Sequence, residues 1–134
     1  MSGQSTVQDP PIRPRGGDFP LSWNSAELRP GIQLVAVAGE LDILTAPSLL
    51  VALQRPENIE ATHLVIDLMQ VDFLAGAGIN TLIDVARRRP RHHTHLIVSP
   101  TNPSVARIIG LTGAAELLTM HFDLERCLRS LGRI

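Results

Sequence analysis

The chain predicts an α/β fold: a mixed sheet of about five strands with about four helices. Two observations carry this. Short runs rich in Val, Ile and Leu recur at 32–38, 63–68, 94–98 and 117–120, and between them stand segments whose apolar residues fall at helical spacing. Ahead of this alternation, two strand-like runs flank Arg29-Pro30-Gly31, a turn sequence. A hairpin followed by alternating helices and strands implies later strands that are mostly parallel. At 134 residues the chain has the length of one domain, and its residues are 44% hydrophobic, which suits a globular core.

Residues 1–18 hold Pro10, Pro11, Pro14, Gly16 and Gly17 and few large apolar groups. Such a segment buries too little to offset its ordering entropy, so it is expected to be a disordered tail, with the domain spanning 19–134. Residues 21–26 alternate as a strand, and 32–38 read as a buried one. Gly39-Glu40-Leu41-Asp42 is expected to end that strand. Thr45 is the expected N-cap of a helix with Pro47 in its first turn, Leu49, Leu50 and Leu53 on its apolar face, and an end near Arg55-Pro56. After the strand 63–68 comes a loop. Ile79, Leu82, Ile83 and Ala86 then mark a helix over 76–89, stopped by Pro90. A strand at 94–98 leads through Asn102-Pro103 to a helix over 104–109, closed by Gly110. A strand at 117–120 and an amphipathic helix over 122–131 complete the order. If the strand order runs in one direction, right-handed crossovers place successive helices on one side.

Composition excludes several functions. The net charge of −1 supplies no global basic field for nucleic acid, and four aromatic residues provide no stacking platform for single strands. Cys127 is the only cysteine, so there is no intrachain disulfide and no cysteine-based metal cluster. It reads as a small core or half-buried thiol on the last helix. No stretch has the build of a signal peptide or a membrane span, in keeping with a cytoplasmic protein without membrane insertion. The chain has no Lys, and hence no phosphate-binding loop of the G-x-x-x-x-G-K-[ST] type, so nucleotide catalysis is not expected. The run Arg87-Arg88-Arg89-Pro90-Arg91-His92-His93-Thr94-His95 reads as a solvated helix end favoured by the helix dipole. As metal ligands, His92, His93 and His95 would point different ways, so no metal and no cofactor are expected.

Three segments carry a resemblance to a known family. They are Val37-Ala38-Gly39-Glu40-Leu41-Asp42 with Thr45-Ala46-Pro47, the stretch 64–79, and Asn102-Pro103-Ser104 through Ile108-Ile109-Gly110-Leu111-Thr112-Gly113. In this order they resemble the STAS domain of bacterial anti-sigma factor antagonists. The resemblance implies a non-enzymatic protein that binds an anti-sigma factor of the serine-kinase type and frees a sigma factor. It places the partner-binding surface at Asp42, Thr45, Ala46, Asp72, Phe73, Ala75, Gly76, Ala77 and Gly78. Homodimers stay open on this reading. So do two other roles for the fold: an accessory subunit of a membrane lipid transporter, and a ligand-sensing module.

In the family, a Ser at the start of the second helix is commonly phosphorylated by the partner, within a loop that reads Asp-Ser-Ser-Gly. The matching residues here are Ala75-Gly76-Ala77-Gly78, and no Ser or Thr occurs anywhere over 71–80. Ala77 stands where the phosphorylated Ser would be. Phosphate would bring about −1.5 to −2 charges, which this loop has no hydroxyl to accept. Gly76 and Gly78 read either as turn residues with positive φ or as small groups that admit a partner backbone. Asp42 and Asp72 read either as strand-end caps or as a negative rim around the surface. Asp67 is expected to bond to the same loop.

Overall fold

The hairpin forms as the turn sequence dictates: β1 (Leu21–Arg29) pairs antiparallel with β2 (Ile32–Leu41), and Gly31 takes φ +83° at the turn. The structure, a computed structural model, describes residues 21–132. The expected tail and the domain's start at residue 19 lie outside these residues. The chain continues through α1 (Ala46–Leu53), α2 (Pro56–Ile59), β3 (His63–Leu74), α3 (Gly76–Arg87), β4 (Thr94–Ile97), α4 (Pro103–Gly110), a 3-10 turn at Ala114–Glu116, β5 (Leu118–His121) and α5 (Leu124–Ser130).

The five strands lie in sequence order, and each pair from β2 to β5 is parallel. Alternation along the strands splits the core into two faces. Val35, Val37, Leu64, Ile66, Leu68, Leu96 and Val98 belong to the larger core, together with Leu49 and Leu53 of α1, Leu82 and Ala86 of α3, and Val105 and Ile109 of α4. Ile32, Leu34, Val65 and Ile97 form a second, smaller core with Cys127 and Leu131. One-directional strand order thus puts the crossover helices on one face, as right-handed connections require. The other face is covered by α5, whose Cys127 packs there together with Leu131.

Four expectations are corrected. β2 does not end at Ala38: Gly39 takes φ +122° inside the strand, and pairing with β3 resumes at Glu40 after a one-residue register shift. β3 does not end at Leu68 but runs to Leu74, carrying the extra residues of two bulges. The one-turn α2 adds a fifth helix to the expected four. The arginine run is also more than a solvated end. Arg89 folds back so that its guanidinium donates to the carbonyls of Asn58 at 3.1 Å and Ala61 at 2.6 Å, pinning the end of α2 beneath α3. Among the described residues no helix is long and apolar enough to cross a membrane.

Candidate functional site

Parallel pairing of β2 and β3 brings their C-terminal ends out on one edge, with Leu41 opposite Leu74. The Ala75 N–H donates to the Leu41 carbonyl at 2.8 Å, tying the start of α3 to the loop before α1. Two segments far apart in sequence thereby form one surface.

The first segment is a self-satisfied turn. Asp42 Oδ1 accepts the N–H groups of Leu44 at 2.9 Å and Thr45 at 3.0 Å, and the Thr45 hydroxyl donates to the Glu40 carbonyl at 2.6 Å. Asp42 therefore acts as the turn's cap. Thr45 stands at the N-cap position of α1, but its hydroxyl makes no bond to the helix. It points back into the turn instead. Thr45 is 2% exposed and Ala46 is buried as well, so neither offers a contact surface. What the turn presents is apolar: Ile43 is 76% exposed and Leu44 82%. The sequence reading missed both. An apolar pair inside a turn otherwise held by Asp and Thr was the available signal, because a folding loop has no use for such side chains.

The second segment starts with a bulge. Gly39 pairs with Val71 and Glu40 with Phe73, so Asp72 is the extra residue of β3. Strict alternation would bury one of two neighbours. The bulge breaks it, and Asp72 and Phe73 both face outward. Phe73 is 51% exposed beside the apolar turn.

Ala75 then enters α3 with φ −112° and no side chain caps the helix. Gly76 is exposed, Ala77 half-buried and Gly78 buried. Neither glycine has positive φ, so the turn reading fails at both. Gly78 is needed for close packing: a Cβ there would lie 2.8 Å from Leu41 Cβ and 3.0 Å from Leu74 Cδ1. At Gly76 a Cβ would meet nothing within 4 Å. Of the expected residues, Asp72, Phe73, Ala75, Gly76 and Ala77 reach the surface together. Thr45, Ala46 and Gly78 build it from beneath.

The hydroxyl nearest in sequence to Ala77 is that of Thr81, and it donates to the Ala77 carbonyl at 3.0 Å along α3. Asp67 bonds within its own strand, its Oδ1 accepting the Met69 N–H at 2.9 Å, and burial pushes its carboxyl above the usual carboxylate range. Cys127 is fully buried, as expected of a core thiol. His92 and His93 turn to separate partners, Thr119 Oγ1 and the Thr62 carbonyl, each at 3.0 Å. His95 goes elsewhere, to His63 and His121.

Comparison with known proteins yields a consistent set. The domain description that matches residues 25–127 is the STAS domain. Anti-sigma-B factor antagonists of Listeria monocytogenes and Listeria innocua are each 25% identical over 84 residues, covering 63% of this chain and 74% of theirs. The crystal structure of an anti-sigma factor antagonist from Mycobacterium paratuberculosis superposes with a TM-score of 0.72 at 26% identity, covering 82% of this chain and 92% of that one.

Proposed function

The chain belongs to the STAS domain family, and from that premise we propose that it is an anti-sigma factor antagonist. In this reading it binds a serine-kinase-type anti-sigma factor in the cytoplasm and frees a sigma factor, without catalysing a reaction itself. One observation carries the reading: Ile43, Leu44 and Phe73 stand exposed around the uncapped, small-residue start of α3. Large apolar groups grouped on a surface mark a protein contact. Fully burying a side chain of this size is worth about 1.5–3 kcal/mol, and small residues at 75–78 let a partner's backbone approach between them. The relatives from Listeria and Mycobacterium bear antagonist names, which supports the same role here.

The start of α3 has no phosphate acceptor. Ala77 has no hydroxyl, and Thr81 holds its own in a bond to the Ala77 carbonyl. The complex should therefore persist where a kinase partner has ATP. The test is titration calorimetry with purified serine-kinase-type anti-sigma factors of the same genome, with and without magnesium ATP. The expected result is one tight partner, equal affinity in both conditions, and no phosphate on this chain by intact mass. Binding to none of them removes the assigned role. ATP-dependent release with a phosphate on this chain removes the claim that it lacks the switch.

A further inference from the structure

Sequence order hides a cluster on the opposite face of the sheet. All five histidines of the chain line one groove, with Arg91, Thr119 and the end of α5. Three of them form a diagonal row across three parallel strands. His95 of β4 stands opposite Val65 of β3 and Thr119 of β5; His63 lies two residues before Val65, and His121 two residues after Thr119. Side chains two apart on a strand share a face, so the three imidazoles meet. His63 Nδ1 lies 3.1 Å from His95 Nε2, and His95 Nδ1 lies 3.3 Å from His121 Nε2. From above, α5 delivers Cys127 to the same place: one donor atom each from His95, His121 and Cys127 lies within 4.8 Å of the other two.

This spacing is close to that of a metal centre. Around a tetrahedral zinc ion, with Zn–N about 2.0–2.1 Å and Zn–S about 2.3 Å, two nitrogens sit about 3.3 Å apart and a nitrogen and a sulfur about 3.6 Å. His95 Nδ1 and His121 Nε2 already have the first separation, and the Cys127 sulfur has a nitrogen of each ring within 4.8 Å. A histidine ladder serving structure alone would make the same imidazole contacts; Cys127, which also packs in the smaller core, brings a third donor atom to them.

We propose that His95, His121 and Cys127 form a binding site for one divalent cation of the zinc class, with a water from the groove completing the coordination. His63 is a positioning residue. When His95 ligates through Nδ1, its Nε2–H donates to His63 Nδ1, which fixes the ring and its tautomer. Imidazole and thiolate together favour zinc over magnesium or calcium, which take oxygen ligands. Ligation takes the neutral imidazole, and burial favours that form at both rings. Burial presses His95 down to about 4, with the neighbouring histidines adding to the effect, and burial also lowers His121. Burial and the Asp123 carboxylate push the Cys127 thiol up to about 11. Formation of the sulfur–metal bond releases the thiol proton to solvent.

The test uses full-length protein carrying no histidine tag and stripped with chelator. Cobalt(II) is titrated as a spectroscopic probe, and zinc then displaces it. Wild type is expected to show one equivalent of tetrahedral cobalt with a thiolate charge-transfer band. His121→Asn, at a half-exposed site, should weaken zinc binding and remain folded. His63→Phe should weaken it about 10–100-fold with the thiolate band retained, as for other groups that orient a ligand. Cys127→Ser should lose the band. A double His92→Asn, His93→Asn variant should bind like wild type. Because Cys127 is buried, its variant is read only where circular dichroism shows a folded protein; the wild-type spectrum and His121→Asn decide regardless. Cobalt bound without a thiolate band, or zinc affinity unchanged in His121→Asn, overturns the site.

Discussion

Two glycines in the same helical turn are expected to respond to alanine with opposite sign. Each replacement removes about 0.4–1 kcal/mol of unfolded-chain entropy where the new side chain fits. At Gly76 it fits, because a Cβ meets nothing within 4 Å, and Gly76→Ala should stabilise the protein by about half a kcal/mol. At Gly78 the Cβ would stand 2.8 Å from Leu41 Cβ, 3.0 Å from Leu74 Cδ1 and 3.3 Å from the Leu41 carbonyl. The Leu74 methyl can rotate away. Leu41 cannot move without its backbone, whose carbonyl also holds the Ala75 N–H. Overpacking of this kind costs about 1–3 kcal/mol, so after the entropic gain Gly78→Ala should lose about 1–2 kcal/mol. Urea unfolding reads the difference: with a slope of about 2 kcal/mol/M the Gly78→Ala midpoint drops by about 0.5–1 M, and that of Gly76→Ala rises slightly. A Gly78→Ala midpoint at or above wild type would refute the close approach of α3 to β2, and with it the base on which the surface rests.

Other outcomes follow from burial and titration. Ile66 and Leu82 both lie in the larger core at 0% and 1% exposure, and truncating either to Ala should cost about 2–5 kcal/mol; losses under about 1 kcal/mol at both would misplace that core. His95 binds its proton more weakly folded than unfolded, so metal-free protein should lose stability as pH falls below 6.5, by about 1.4 kcal/mol per unit, levelling off below about 4 after about 3 kcal/mol. At pH 5 the loss from this residue is about 2 kcal/mol, and urea midpoints for His95→Gln should show a shallower fall between pH 7.5 and 5. Leu44→Asp should leave stability within about 0.5 kcal/mol, since the side chain is 82% exposed, while weakening binding of the anti-sigma partner.

Much of the fold could be read in the sequence, because buried parallel strands appear as unbroken apolar runs and the crossover helices carry a clear 3.6-residue period. What escaped was the continuation of β2 and β3. Gly39, Glu40, Met69 and Asp72 look like strand ends, yet a strand absorbs such residues by bulging, and pairing with a neighbour decides it. Of the candidate surface, the family resemblance pointed to Phe73 and Ala75 to Ala77, and these residues do reach solvent. Thr45, Ala46 and Gly78 were assigned to it because their position in the chain is right, but burial depends on what packs above them. The histidine row lay beyond reach for the same reason. His63, His95 and His121 are separated by about thirty residues at each step, and only sheet register places them side by side.

The most direct measurement is the affinity of the anti-sigma partner for Ala77→Glu, beside Ala77→Ser and wild type. Residue 77 is half-buried already, and a carboxylate desolvated there in an interface without a partner costs several kcal/mol. Ala77→Glu should bind at least about tenfold more weakly, a loss of about 1.4 kcal/mol. Ala77→Ser should bind as wild type does until ATP is added, when it alone should take a phosphate and let go. Undiminished binding by Ala77→Glu would place the interface elsewhere on the molecule.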